Sequence, residues 1–255
     1  MGHRKTYDRE PLLPLSGTAK PAGAPVRATI DQPSYIKDHR KRLRERFLIG
    51  GPDPVPDYEL LELLLFRAIP RRDVKPIARH LLEAFGDFNS GINAPFERLR
   101  EVKGLGSSAI IELKIVEAAA QRLSRARMMN KPVISGWNAL LDYCHTVMAH
   151  RETEQFRVLY LNTKNMILAD ECAGSGTVNH VPVYPREIIK RCLDLSATAV
   201  ILVHNHPTGD PTPSQADIDM TERIEHAARV FDIALHDHVI IGRERELSFR
   251  ASGLL

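Results

Sequence analysis

Residues 198–231, "TAVILVHNHPTGDPTPSQADIDMTERIEHAARVF", contain an apolar run, a proline-rich loop and a polar segment with helical periodicity. The run "TAVILVH" has no alternation of polar and apolar residues, which predicts a strand buried on both faces at the centre of a sheet. Ser214 stands where the loop ends and is the predicted N-cap of the helix that follows. The stretch therefore predicts a central strand joined to a helix by a short loop.

The segments around this stretch extend the same pattern over residues 137–255. "QFRVLYLN" alternates as a half-buried strand does, and "NMILADEC" is predicted to pair with it as a hairpin. Helices are predicted around 137–149 and in "PREIIKRCLDL", with Pro185 at the first helical position. "IALHDHVIIG" and "ELSFR" are predicted strands. Strands and helices that alternate in this way predict a domain with a mixed sheet.

Residues 34–129 carry helical patterns only. The first predicted helix starts at Ser34, and the second follows Asp57, its predicted N-cap. The third lies in "DVKPIARHLLEAFG" and ends at Gly86. Two more are predicted in "PFERLREV" and "SSAIIELKIVEAAAQRLSRA". Residues 1–33 lack periodicity and are predicted to be a disordered tail, and 130–136 a linker. The predicted class is α+β, with a helical domain followed by a mixed-sheet domain.

Composition restricts the function classes. No stretch approaches the roughly 20 apolar residues of a membrane helix, and the N-terminus has no apolar segment typical of a secretion signal. Three scattered cysteines favour a reducing cytoplasm over a disulfide scaffold. The net charge is +3, and the basic excess lies near the front, in "HRKRLRER" at 39–46. A run of this kind is either a nucleic-acid contact or a solvated helix face.

His204, His206 and Asp217 form a candidate metal site. Alternate side chains of a strand share a face, so both imidazoles can point at one ion, and seven loop residues return the helix start to the strand end. Two histidines and one carboxylate leave one tetrahedral position open, as in catalytic zinc sites. The alternative is a plain capping box in Ser-x-x-Asp beside unrelated histidines. A second pair, His236 and His238, lacks a following Ser-x-x-Asp and is interpreted as structural, with His238 or Asp237 near the site.

This spacing resembles the signature H-x-H-x7-S-x-x-D of JAMM (MPN-type) metalloproteases, complete at every fixed position. The wider context, including "GTVNHVPVYPREIIK", "HDHVIIG" and "SFRASGLL", is similar to the bacterial RadC family (UPF0758), as is the helical part from about residue 37. The resemblance implies a cytidine-deaminase-like fold, one Zn²⁺ per chain and hydrolysis of an amide bond in an unidentified protein or peptide. The chain departs from the family at "LFRAIPRRD" and at His236.

The resemblance also implies two catalytic residues. Glu154 is the best match to the glutamate that accepts a proton from the attacking water, with Glu152 and Glu171 as rivals. Ser214 caps its helix and, by resemblance, also stabilises the oxyanion of the tetrahedral intermediate.

A candidate nucleic-acid contact lies at Lys103, Gly104 and Gly106, in "LREVKGLGSSAIIELKIVEAA". Helix, glycine turn and helix resemble a helix-hairpin-helix, in which backbone N–H groups at a helix start contact a phosphate. A plain αα turn is the alternative. The rival function is therefore a DNA-binding repair or recombination accessory with the second domain as a scaffold; phosphodiester cleavage ranks lower, because paired metals are common in nucleases.

Overall fold

The computed structural model describes residues 34–129, 132–133, 135–176 and 182–255, with side chains from residue 38 onward. In chain order the elements are α1 (Ser34–Gly50), α2 (Asp57–Ala68), α3 (Lys75–Phe85), α4 (Phe88–Asn93), α5 (Phe96–Glu101), α6 (Ser107–Met129), α7 (Trp137–Met148), β1 (Glu154–Leu161), β2 (Ile167–Gly176), α8 (Pro185–Leu195), β3 (Ala199–Asn205), α9 (Gln215–Arg229), β4 (Ala234–Ile241) and β5 (Glu246–Ser248). This order confirms the α+β class: helices first, then a sheet with helices on it.

Helices α1 to α6 enclose a core of their own. It consists of fully buried aliphatic side chains, among them Leu61, Leu81, Leu99 and Leu113. Gly86 ends α3 with a φ of 91°, a left-handed conformation that glycine adopts without a steric penalty. The predicted stop of this helix is confirmed.

The sheet has five strands in the order β2-β1-β3-β4-β5. β3 is the middle strand and is buried along its whole length. β3 and β4 are parallel, whereas the other neighbours are antiparallel, so the sheet is mixed as predicted. β1 and β2 form the predicted hairpin.

Helices cover both faces of this sheet. Leu159, Ile201 and Val239 pack on the face that α7 covers. Val158, Leu202 and other side chains of the opposite face pack against α8 and α9. Phe156 belongs to this second face and is the direct partner of His204 across β1 and β3. His204 therefore lies on the face that α8 and α9 cover, at the end of β3.

Three predicted details differ from the structure. Asp57 is the first residue of α2 rather than its cap, because its carboxylate instead accepts the Phe88 backbone N–H at 3.1 Å. The helix predicted from Asp73 begins at Lys75, after a turn in which Asp73 accepts the Lys75 N–H. The short α4 was missed because it carries no apolar periodicity; its N-cap, Asp87, accepts the Ser90 N–H at 2.7 Å.

No helix in the described ranges is long and apolar enough to cross a membrane. The tail predicted at 1–33, and residues 130, 131 and 134 of the predicted linker, lie outside the described residues. The domain boundaries stay a prediction.

Candidate metal centre

His204 and His206 lie at the carboxyl end of β3, where the chain leaves the sheet. His204 is 1% exposed and stacks on Phe156, with ring centroids 5.8 Å apart and planes at 10°. His206 follows the strand, and its backbone N–H donates to the Ile241 carbonyl at the end of β4. The Nε2 atoms of the two imidazoles are 3.0 Å apart. The strand end therefore directs both rings at one point, as the spacing predicts.

Asp217 reaches the same point from the first turn of α9. Its Oδ1 lies 3.3 Å from Nε2 of His204, and its Oδ2 lies 3.5 Å from Nε2 of His206. Ser214 fixes the carboxylate: its backbone N–H and its hydroxyl both donate to Oδ2 at 2.7 Å, and its Oγ accepts the Asp217 N–H. This is a complete capping box. The cap and the carboxylate placement are thus one arrangement.

The three side chains fit a tetrahedral ion. Ligand atoms about 2.0–2.1 Å from a tetrahedral Zn²⁺ lie about 3.3 Å from one another. Two observed separations are close to that value: the Nε2 atoms of His204 and His206 are 3.0 Å apart, and Oδ1 of Asp217 lies 3.3 Å from Nε2 of His204. The 3.5 Å contact to Nε2 of His206 is made by the other carboxylate oxygen, Oδ2. His204, His206 and Asp217 are also the described side chains whose ligand atoms cluster closely enough to hold a metal ion.

The nitrogen of each imidazole that faces away from this point has a partner. Nδ1 of His206 lies 2.8 Å from the Asp210 carbonyl, which can only accept, so Nδ1 carries the hydrogen and Nε2 is left with a lone pair. Nδ1 of His204 lies 2.8 Å from Nε2 of the fully buried His238. Metal-binding histidines are usually oriented by such contacts.

The charges at the centre favour a cation. Burial alone would raise the pKa of Asp217, but the adjacent imidazoles of His204 and His206 hold that pKa well below its usual range. The hydrogen bond to Asp217 raises the pKa of His206, to which Asp210 and the Glu154 carboxylate add. Burial and the nearby His204 lower the pKa of His238, which keeps that ring neutral. The site thus combines a carboxylate that stays ionised with two imidazoles whose Nε2 atoms face it.

Glu154 is the first residue of β1 and is half-buried beside the centre. It shares strand parity with Phe156, the partner of His204, and its carboxylate is close enough to His206 to raise the pKa of that ring. Among the described residues, the Glu154 carboxylate has no hydrogen bond and no ion pair. An unengaged carboxylate next to the candidate ligands is chemically free to accept a proton.

The two rival glutamates are engaged elsewhere. Glu152 is exposed and accepts from Arg98 of α5 at 3.1 Å. Glu171, on β2, forms a bidentate ion pair with Arg191, which lowers the pKa of Glu171. Val158 is the partner of Glu171, so this glutamate lies further from the strand end than Glu154 does. Both rivals therefore have charged partners away from the centre, whereas Glu154 lies beside the candidate ligands.

Asn205, between the two histidines, was not singled out from the sequence. It is 1% exposed, accepts the Gln155 N–H at 2.9 Å and donates to the Thr153 carbonyl at 3.2 Å. These bonds hold the start of β1, and with it Glu154, against the end of β3. A buried polar residue at the end of an apolar strand is a usable signal, because such a group requires partners.

Gly242 permits the loop between β3 and α9 to pack against the end of β4. A Cβ at this position would lie 2.4 Å from the Gly209 carbonyl and 2.8 Å from the Arg245 carbonyl. Because both obstacles are backbone atoms, a side chain could be accommodated only by moving the loop that leads from Gly209 to Ser214 and the β4–β5 turn at Arg245. The loop is thereby tied to the sheet.

The two histidines of the second pair, His236 and His238, lie in different surroundings. His236 is the extra residue of an irregularity in the β3–β4 register, since Leu235 pairs with Val200 and Asp237 with Ile201. His236 bonds to Asn165 at 2.6 Å and is not one of the clustered ligands. His238, in contrast, lies on the same face of the sheet as the metal centre, next to His204. The departure from the family at position 236 therefore adds no ligand in the structure.

The predicted nucleic-acid residues form a turn between α5 and α6. Gly104 has a φ of 89°, and a Cβ there would lie 3.2 Å from Ile77 and 3.4 Å from the Arg72 guanidinium. Leu105 is buried, Lys103 is exposed, and the Gly106 carbonyl accepts the Ala109 N–H as α6 begins. The three predicted residues thus occupy one turn, with Arg72 next to it.

Comparison with known proteins assigns the chain to a family. The profile of the RadC-like JAB domain matches residues 134–254. A UPF0758 protein of Ruegeria pomeroyi is 67% identical over 223 residues, which cover 88% of this chain and all of the relative. A UPF0758 protein of Rhodobacter capsulatus is 66% identical over 213 residues, 84% of this chain and again all of the relative. With a JAB domain behind a helical region and full-length relatives at this identity, the chain belongs to the RadC family, UPF0758.

Proposed function

We propose that this protein is a zinc-dependent hydrolase that cleaves amide bonds in a protein or peptide. The observation that carries the proposal is the convergence of two imidazole nitrogens and one carboxylate at separations of 3.0–3.5 Å. His204, His206 and Asp217 would hold one Zn²⁺ per chain. When bound, such an ion lowers the pKa of a coordinated water toward about 7 and polarises a carbonyl oxygen.

The remaining steps belong to side chains of this protein. Glu154 accepts a proton from the attacking water and returns it to the leaving amine, which is the work of a general base that becomes a general acid. Ser214 orients Asp217, and in this structure its hydroxyl hydrogen is committed to that carboxylate. A role at the oxyanion requires the hydroxyl to turn away from Asp217 while the Ser214 N–H maintains the contact. The three cysteines, all free thiols in the structure, suit a reducing compartment, and we place the protein in the cytoplasm.

Zinc content tests the metal centre. The purified wild type is expected to hold one Zn²⁺ per chain, and His204→Ala and Asp217→Ala are expected to lose it. Excess Zn²⁺ should raise the free energy of unfolding of the wild type, by about 2.7 kcal/mol at a concentration of one hundred times Kd, and should leave both variants unchanged. His226→Ala on α9 is the matched control, because this exposed histidine is outside the centre. A wild type without zinc after zinc-replete purification would refute the hydrolase proposal.

We propose DNA contact as a second function, on a separate observation. Arg40 of the basic α1 donates to the Arg72 carbonyl at 2.6 Å, and the Arg72 guanidinium lies against Gly104 of the turn. The basic run and the glycine turn, separate in the sequence, are therefore neighbours. Arg72 and Lys103 are exposed beside the start of α6. Cations in this position are suited to contact a DNA phosphate, which carries no information on base identity.

The DNA proposal is tested by the affinity for a short labelled duplex at several salt concentrations. The double variant Arg72→Glu/Lys103→Glu is expected to bind every duplex sequence more weakly, and the slope of log K against log salt should fall by about 1 for each phosphate that the protein no longer neutralises. Lys190→Glu, an exposed lysine on α8, is the matched control. Equal affinity of the double variant and the wild type would refute a contact at the turn.

A further inference from the structure

His238 and Thr221 form a buried chain of hydrogen bonds behind the metal centre. Nε2 of His238 lies 2.8 Å from Nδ1 of His204, and Nδ1 of His238 lies 2.5 Å from Oγ of Thr221. The Thr221 hydroxyl lies 2.6 Å from the backbone carbonyl of Asp217, one helical turn earlier in α9. His238 is 0% and Thr221 1% exposed. The chain thus begins on one candidate ligand and ends on another.

The carbonyl at one end fixes the direction of every bond. A carbonyl can only accept, so the single hydroxyl hydrogen of Thr221 points at Asp217. Oγ of Thr221 must then accept from His238, which places the hydrogen of that ring on Nδ1. Nε2 of His238 is left as an acceptor and takes the hydrogen from Nδ1 of His204. The Nε2 atom of His204 therefore faces the centre with its lone pair free.

We infer that Thr221 and His238 are positioning residues that hold His204 in the tautomer able to bind a metal ion. The inference rests on the proposed zinc site, but the direction of the bonds follows from the protein alone. Phe249 and Phe156 flank the His238 ring, with centroids at 4.6 and 5.5 Å, so its plane is held by packing as well as by hydrogen bonds. Reversal of the chain would put a hydrogen on the atom that must coordinate.

Two matched pairs of variants separate this role from a structural one. Thr221→Ser keeps a hydroxyl, whereas Thr221→Val keeps the shape and removes it. His238→Gln retains a donor and an acceptor at similar reach, whereas His238→Phe keeps a ring beside Phe249 and removes both. The Zn²⁺ dissociation constant, measured against a competing chelator, should rise by about 10- to 100-fold in Thr221→Val and His238→Phe, and should recover toward the wild-type value in Thr221→Ser and His238→Gln.

The second readout needs neither zinc nor activity. Long-range ¹H–¹⁵N NMR of the metal-free protein, at a pH where the imidazoles are neutral, reports which nitrogen of His204 carries hydrogen. We expect Nδ1–H in the wild type and in Thr221→Ser, and a shift toward Nε2–H in Thr221→Val and His238→Phe. The inference is overturned by Nε2–H in the wild type, or by Thr221→Val that keeps both the tautomer and the zinc affinity. A wild type that shows Nδ1–H and binds no zinc would overturn the hydrolase proposal alone.

Discussion

Glu154→Gln is expected to reduce the rate of amide hydrolysis by about 10²- to 10⁴-fold while one Zn²⁺ per chain is retained. Glutamine has nearly the same shape but cannot accept the proton of the attacking water. Glu154 is not one of the three clustered ligands, so the metal content should not change. The substrate for this measurement is any amide that the wild type cleaves and Asp217→Ala does not, because that difference assigns the cleavage to this centre.

The rival glutamates supply the controls for this experiment. Glu152→Gln removes an exposed ion pair with Arg98, and Glu171→Gln removes the ion pair with Arg191. Both should hydrolyse the substrate at close to the wild-type rate. Loss of activity in Glu152→Gln or Glu171→Gln, with Glu154→Gln near the wild-type rate, would assign the base to that other glutamate.

Short sequence patterns are enough to predict much of this site. Strand parity predicts that His204 and His206 converge, and Ser-x-x-Asp predicts both the cap and the return of Asp217 to the strand end. Each of these steps spans only a few residues along the chain. The turn at Gly104 follows in the same way from a short spacing between two helices. The predicted residues could therefore be brought together without knowledge of distant contacts.

The supporting residues depend on contacts that a linear pattern does not contain. Simple alternation places His236 and His238 on one face of β4, but the register irregularity at His236 separates them. Thr221 follows Asp217 by one helical turn, so its position on the same face of α9 is readable, whereas its contact with His238 requires the packing of α9 on β4. Only the folded sheet shows that Thr221 and His238 lie in one chain of hydrogen bonds that ends on His204.

The affinity for Zn²⁺ is expected to fall about tenfold for each pH unit below the pKa of His206, since the ion binds only the neutral imidazole. Asp217 raises that pKa above the ordinary value of about 6.5, so the decline begins at a higher pH than for an isolated histidine. Asp217 stays ionised and His238 stays neutral through this range, because their pKa values are lowered. The dissociation constant at several pH values, read by chelator competition, checks this; a constant that does not change with pH would contradict it.

The stability of the metal-free protein should change with pH in the direction opposite to the zinc affinity. A raised pKa means that protonated His206 stabilises the fold: this contribution is complete below about pH 6.5, the unfolded value, and is lost as the pH rises through the folded value. The melting temperature of the metal-free protein should therefore decline over the range in which zinc binds more tightly, and zinc-induced stabilisation should grow with pH. His226→Gln should leave both profiles in place, since this exposed histidine lies outside the centre.

The pH profile of the zinc affinity also tests the position of Glu154 before any substrate is known. The Glu154 carboxylate is one of the charges that raise the pKa of His206. Glu154→Gln removes that charge, so the pH at which zinc affinity begins to fall should move downward, whereas Glu152→Gln should leave it in place. A shift confined to Glu154→Gln would establish that this carboxylate faces the centre, and the kinetic loss could then be attributed to proton transfer instead of a disturbed site.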